Sequence, residues 1–391
     1  MRILFLHNRY IFRGGEDESR EQEIAMLRAR GEEVLDHVLN NSEIKGNLVT
    51  IGLRSIWNTQ EADRIKDLIR STKPDLMKVD NFFPLFSPSI FEAAKSMGVP
   101  TALSVRNYRL ICPSANLFRD GHVCTTCVGS KLALAAIQHR CRQQSYMQSA
   151  AVVASNAYAH LRGVWTNSVD RYIAVSSFVK QQLVAGGFPE ERILVKPNFI
   201  SDTGVGDGSG GFGLYVGRLT EEKGIHSLLS AWQHIPQAIP LKVIGDGPLE
   251  SAVRSAAESD SRIEYLGRKS LTEVCEYLGK AAFLVFPSEW YEPFGRTIVE
   301  AYAKGTPVLA ALTPPMNAMV DHGVTGLLYK PGDSKDLASA VSLLISDPQR
   351  LGRMRAQARE RYLTLYTEDQ NYQQLMAIFH QCIETHLAQL A

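Results

Sequence analysis

The chain has 391 residues, 45% apolar and 21% charged, with 42 Lys and Arg against 41 Asp and Glu. That length allows two domains of ordinary size, and the composition is that of a folded globular chain, not a disordered one. A net charge of +1 gives no general attraction to nucleic acid, Ile3–Leu6 is too short for a signal-peptide apolar region, and no run approaches a membrane span of ~20 apolar residues. The expectation is a cytoplasmic protein with at most a peripheral contact at the inner face of the cell membrane.

Arg2–His7 reads as a first strand, Asn8–Gly15 as a glycine-ended loop, and Glu16–Gly31 as a helix with Ile24, Leu27 and Arg28 at helical spacing. Further strands are expected at Val34–Val38, Leu76–Val79, Thr101–Val105, Arg171–Val175 and Ile193–Lys196. Helices are expected at Ser55–Ser71, Ser89–Met97 and Ser177–Ala185, with a long helical stretch before Arg171. This alternation predicts a doubly wound parallel sheet. Ser201–Gly211 is glycine-rich and reads as a flexible linker with nothing to pack. Its G-x-G-x-x-G, Gly206 to Gly211, precedes a strand and opens no helix, so it is not a nucleotide fingerprint. A second alternating block runs from Gly213 to about Asp347, and Pro348–Ala391 is mostly helical. The expected division is therefore residues 1–200, the linker 201–211, residues 212–365, and a terminal helix 366–391.

Two segments of the second block carry the chemistry. The first is Ser288 to Glu300, in which an apolar strand (Ala281–Phe286) ends at Pro287 and a helix starts near Arg296. Glu292 lies on the loop and Glu300 inside the helix, on either side of a helix start opened by Gly295. Amides at such a start seat a phosphate, and flanking carboxylates accept hydrogen bonds from vicinal hydroxyls, which suits a nucleotide-sugar. A surface helix with capping carboxylates is the plainer reading of the pair alone. The second segment follows the strand Leu214–Val216, where Arg218 and Lys223 flank a tight connection into a helix beginning at Ile225. Two cations at a strand's carboxyl end can neutralise a diphosphate as its charge develops. Taken alone, a solvated loop containing Lys and Arg explains them as well.

Together these segments resemble retaining glycosyltransferase family 4 (glycosyl transferases group 1, GT-B fold). The resemblance rests on Gly217-Arg218-Leu219 to Lys223-Gly224, Gly245-Asp246-Gly247-Pro248-Leu249, Tyr265-Leu266-Gly267, Glu292 to Glu300, Ala301 through Gly305-Thr306-Pro307-Val308, and Gly323 to Leu328. It extends into the first half through Gly14-Gly15-Glu16, Asn81 to Ser89, Arg106 to Pro113, and Lys196-Pro197-Asn198-Phe199. The resemblance implies two Rossmann-like doubly wound α/β domains facing a cleft, with the donor on the second and the acceptor mainly on the first. It implies that Arg218 and Lys223 hold the diphosphate, assisted by amides around Phe294, Gly295, Arg296 and Thr297. Glu300 would take the ribose, Glu292 the sugar hydroxyls as a positioning group, and Gly267 with Arg268 would lie near the base. Gly14 and Gly15 would approach the phosphate or sugar closely because they lack side chains. No metal is required for catalysis.

The sequence departs from its relatives at Arg106, where a histidine often follows the strand. Arginine stays protonated and cannot be a neutral base, so the position is expected to act electrostatically, to mark a different sugar, or to lower activity. Four of six cysteines, Cys112, Cys124, Cys127 and Cys141, are spaced C-x11-C-x2-C-x13-C. They suit a structural zinc, with His122 or His139 able to replace one ligand; unrelated buried thiols are the alternative, and disulfides are disfavoured in the cytoplasm. Cys275 and Cys382 lie in helical patterns and read as core. Lys131–Trp165, with His139, Arg140 and Arg142, reads either as a solvated helical face or as a surface for anionic lipid, as a polyprenyl-linked acceptor would require.

Two functions follow. One is a transferase moving a sugar from a nucleotide-diphosphate sugar to a glycan or polyprenyl-linked acceptor in bacterial surface-polysaccharide biosynthesis. The other is a non-catalytic nucleotide-sugar-binding or scaffold protein of the same fold; a phosphorylase or epimerase fits the second-half motifs less well.

Overall fold

The computed structural model describes residues 1–10, 14–43 and 48–390, so positions 11–13 of the expected Asn8–Gly15 loop lie outside the described residues. The chain divides into two compact units, residues 1–117, 125–198 and 371–391 in one and 118–124 and 199–370 in the other.

The first unit is built on β1 (Arg2–Arg9), β2 (Glu33–Asn40), β3 (Leu76–Asn81) and β4 (Thr101–Val105). A short hairpin, β5 (Phe118–Arg119) and β6 (His122–Val123), is followed by β7 (Arg171–Ala174) and β8 (Ile193–Val195). Six of these form one sheet in the order β2-β1-β3-β4-β7-β8, every pairing parallel. Ile3–Leu6 is fully buried, as a strand covered by helices on both faces requires.

The expected helix Ser55–Ser71 is two helices, Leu48–Ile56 and Thr59–Thr72. Asn58 breaks it: its side chain accepts the Glu61 amide at 3.2 Å and caps the second helix. The long helical stretch before Arg171 is likewise three helices, Leu134–Gln138, Tyr146–Leu161 and Val164–Asn167. Left-handed backbone at Arg140, Gln143, Gln144 and Gly163 separates them.

The second unit follows the same plan with β9 (Gly213–Val216), β10 (Leu241–Ile244), β11 (Ile263–Gly267), β12 (Phe283–Phe286), β13 (Val308–Ala311) and β14 (Gly326–Tyr329). Their order is β11-β10-β9-β12-β13-β14, again parallel. Side chains alternate between two cores. Tyr215, Val243, Phe283, Val285 and Leu309 face one, packed by the helices Ile225–His234 and Ser334–Ile345. Leu214, Ile244, Leu284, Phe286 and Val308 face the other, packed by Leu271–Lys280 and Arg296–Ala303. A period of two across a sheet buried on both sides is the doubly wound arrangement.

Residues 201–211 form no helix or strand, yet they do not behave as the loose linker expected from their glycines. The Gly206, Gly208 and Gly210 amides donate to the carbonyls of Lys304, Gly279 and Lys280 at 2.9–3.0 Å. A Cβ on Gly206 would lie 2.1 Å from the Gly279 carbonyl oxygen, so glycine here permits close packing, not freedom.

The last helix is Glu368–Leu390, assigned to the first unit from Asn371 onward. Lys196 donates to Asn371 at 2.7 Å, Tyr372 to Glu32 at 2.9 Å, and Arg171 bonds Thr385. Cys275 and Cys382 are buried.

Candidate functional site

In the second unit the strand order reverses between β9 and β12. Connections leaving these neighbours diverge, and the ends of the two strands form the switch point at which open α/β sheets bind ligands. Gly217–Lys223 leaves β9 and Pro287–Gly295 leaves β12, so both segments singled out from the sequence meet there.

Glycines bring the loops together. Gly224, at φ 69°, lies where a Cβ would be 2.0 Å from the Pro287 carbonyl oxygen. Gly245, at φ 144°, leaves 1.8 Å between such a Cβ and the Gly217 carbonyl oxygen. The Glu289 amide donates to the Glu222 carbonyl at 3.0 Å and the Ser227 hydroxyl to Glu289 at 2.8 Å. Tyr215 donates its hydroxyl to the Arg218 carbonyl at 2.8 Å. Burial, followed by Glu292 and Glu222, pushes the Tyr215 pKa far above the ordinary phenol value, so it remains a donor.

Lys223 Nζ forms an ion pair with Glu292 Oε2. The same oxygen accepts from Trp290 Nε1 at 2.9 Å and Ser288 Oγ at 3.3 Å. All three donors fall on one oxygen, so Oε1 carries none of them. Lys223 also stands over the Trp290 ring, 5.4 Å from its centroid. Trp290 and Ser288 were not assigned roles from sequence; only their place within two and four residues of Glu292 signals them. Arg218 is exposed, and its guanidinium makes no hydrogen bond or ion pair among the described residues.

Helix Arg296–Ala303 starts at Gly295, but its first amides are not all open as the sequence suggested. The Gly295 amide donates to Met319 Sδ at 3.3 Å, and the Arg296 amide to the Phe294 carbonyl at 3.0 Å. The Ile298 amide returns to the Gly295 carbonyl at 3.0 Å. This leaves the Thr297 amide to find its acceptor outside the helix. Within the helix Arg296 Nε donates to Glu300 Oε1 at 2.9 Å, holding that buried carboxylate at the site's edge. Phe294 packs edge-on against Tyr366, ring centroids 6.2 Å apart. Gly267, at φ 67°, accepts from the Gly245 amide at 3.0 Å, and Arg268 is exposed, 3.8 Å from Asp246.

The expected residues of the first unit have different surroundings. Gly14 precedes helix Gly15–Ala29 with extended backbone at φ −137°, and its amide donates to Asp17 at 3.1 Å. A Cβ there would meet nothing within 4 Å among the described residues, so packing does not demand glycine. Arg106 is buried. Its guanidinium donates to Asn198 at 2.6 Å and lies 3.5–3.6 Å from Asp80 and Glu23. Lys78 and Lys196 reach the same Glu23 at 2.6 and 3.1 Å. Burial, opposed by Glu23, pushes the Lys196 pKa down to about 8.

Among the described residues no group of three or more His, Cys, Asp or Glu is arranged to hold a metal ion. Cys112 is buried with its sulfur 3.1 Å from Ser114 Oγ, while Cys124, Cys127 and Cys141 are half-buried. Among the described residues no helix is long and apolar enough to cross a membrane.

Residues 207–361 match the family model for glycosyl transferases group 1. An uncharacterized glycosyltransferase of Methanocaldococcus jannaschii is 32% identical over 186 residues, covering 47% of this chain and 52% of that protein. A lipopolysaccharide core biosynthesis glycosyltransferase of Rhizobium meliloti is 28% identical over 135 residues, 34% of this chain and 38% of that one. The matches thus span about half or less of those curated relatives. The crystal structure of Anabaena HepE in complex with UDP superposes with a TM-score of 0.70 at 18% identity, covering 99% of this chain and 100% of that one. Residues 207–361 are thus similar to the glycosyl transferases group 1 family, within a chain whose two parallel-sheet units have the GT-B fold.

Proposed function

We propose that the chain is a retaining glycosyltransferase that moves a sugar from a nucleoside diphosphate sugar to a glycan or lipid-linked glycan. Its setting in this reading is bacterial surface-polysaccharide assembly, with the protein in the cytoplasm at the inner membrane face. The observation that carries the reading is the Lys223–Glu292 ion pair at the switch point of the second sheet, with Arg218 on the same loop as Lys223 and a helix start just after Glu292.

A diphosphate placed there meets the unpartnered Arg218 guanidinium and the helix start. Lys223 exchanges its carboxylate for phosphate, and Glu292 accepts from sugar hydroxyls at Oε1 while Trp290 and Ser288 hold Oε2 in place. As the bond to the anomeric carbon breaks, negative charge grows on the leaving diphosphate, and fixed cations stabilise it with no reorganisation at that moment. Glu300, held by Arg296, is suited to paired ribose hydroxyls, and Gly267 with Arg268 to the base. Arg218 and Lys223 supply the positive charge, so this chemistry routes nothing through a metal.

A panel of UDP-, GDP- and ADP-sugars tests the reading by thermal shift, followed by nucleotide release with the best binder. The expected result is stabilisation by one base class and slow release of its diphosphate without acceptor. Stabilisation with no release under any condition supports the second reading, a non-catalytic donor-binding protein. One observation favours it: Arg106 is locked in buried ion pairs and offers no proton-accepting group after β4.

A further inference from the structure

The first unit carries a cavity of about 600 Å³ that the donor chemistry does not use. Its walls are the helices Leu48–Ile56 and Tyr146–Leu161, with Phe83 and Pro84 closing one side. Hydrocarbon dominates the lining, through Ile51, Leu53, Ile56, Met147, Ala150 and Val152. Leu53 and Met147 are 64% and 58% exposed, so the mouth holds apolar surface in water, which marks a binding region when it is contiguous. The volume falls within the roughly 300–1,000 Å³ of ordinary ligand pockets.

Among the described residues no carboxylate lines this groove, and the charged residue in its wall is Arg142. Arg142 is half-buried, and its guanidinium makes no hydrogen bond or ion pair among the described residues; its amide donates to Ser149 Oγ at 2.9 Å. Burial, then the neighbouring Arg109, pushes its pKa down to about 10, so it stays charged near neutrality. Arg109 is buried too, donating to Asn81 at 3.1 Å and Tyr10 at 3.2 Å. Glu16, the acid on this side, is engaged by Asn107 at 2.9 Å and interacts with Tyr10. Arg142 thus stands in the wall of an apolar groove with the like-charged Arg109 as a neighbour. A half-buried charge of this kind is costly until an anion meets it.

We propose that this groove binds a single-chain lipid phosphate, its hydrocarbon lying between the two helices and its phosphate at Arg142. The inference rests on the transfer reading above and gives the place where a lipid-linked acceptor is held. A free glycan would leave the apolar walls unused, and a flat bilayer surface would not fill a recessed volume.

The test is calorimetric titration of the full chain with farnesyl phosphate below its micelle concentration, alongside farnesol and inorganic phosphate. Saturable binding of farnesyl phosphate is expected, at least tenfold weaker for farnesol and for Arg142→Gln, with none for inorganic phosphate alone. Leu53→Lys, at an exposed position, weakens binding with an unchanged melting temperature. Equal affinity in Arg142→Gln and the parent overturns the proposal. So does equal affinity for farnesol, or binding only to anionic phospholipid vesicles. Nucleotide release measured on the same parent sample separates this from the transfer reading: a chain that releases nucleotide but ignores farnesyl phosphate sinks the groove alone.

Discussion

The two units share a fold plan yet place their charges at the strand ends in opposite ways. In the first, Glu23 and Asp80 are buried against Lys78, Arg106 and Lys196, each cation answered by a carboxylate. In the second, Arg218 is exposed without a side-chain partner among the described residues, and Lys223 shares one half-buried carboxylate with Trp290 and Ser288. Buried and mutually satisfied ions fix a structure, whereas half-exposed ions with spare valence are available to a ligand. In the proposed reading the same residue types therefore carry stability in one unit and chemistry in the other.

That contrast can be broken by substitution. The largest expected effect is Lys223→Ala, which should lower nucleotide release by about 10²–10³, as loss of an oxyanion donor does. Its melting temperature should stay near the parent's; a large fall in melting temperature would place Lys223 with the structural ions. Glu23→Ala should do the reverse. It strands buried cations, costing about 3–5 kcal/mol in denaturant unfolding, while nucleotide release by the folded fraction stays near normal.

Acid sharpens the same point. Burial alone would raise the Glu23 pKa, but Lys78, Lys196 and Arg106 outweigh it and hold the carboxyl down to about 2, below its ordinary 4.5. A depressed carboxylate contributes stability that is fully present above the unfolded value and lost as pH falls toward the folded one. The stability gap between parent and Glu23→Gln should therefore be constant near neutrality and close between about pH 4.5 and 2. A gap independent of pH across that window would contradict the ion-pair assignment. The smallest effect belongs to Trp290→Phe, which removes one of three donors to Glu292. A loss of about 0.5–1.5 kcal/mol corresponds to roughly two- to tenfold slower release, with donor affinity little changed.

Much of this is readable from sequence because strands buried on both faces leave short, mostly apolar runs between helical segments. Thr101–Val105 was found to the residue, and Leu76–Val79 lacked only Asp80 and Asn81. Breaks were harder to read, since a cap such as Asn58 acts through one hydrogen bond that no periodicity records. Glycine misled at 201–211, where it serves close backbone packing against Gly279 instead of flexibility. At the site, the charged positions were legible as motifs, but the claim of Met319 on the Gly295 amide was not. That contact joins residues 24 apart, and nothing in either segment announces it.

The most direct measurement is calorimetric titration of a nucleoside diphosphate, of the base chosen by thermal shift, into the parent and Arg218→Ala. If the switch point of the second sheet seats the diphosphate, removing a charged donor worth about 1.5–3 kcal/mol weakens binding roughly tenfold or more, with folding stability untouched because the Arg218 guanidinium makes no hydrogen bond or ion pair among the described residues. Identical affinity in the two would show that the diphosphate lies elsewhere.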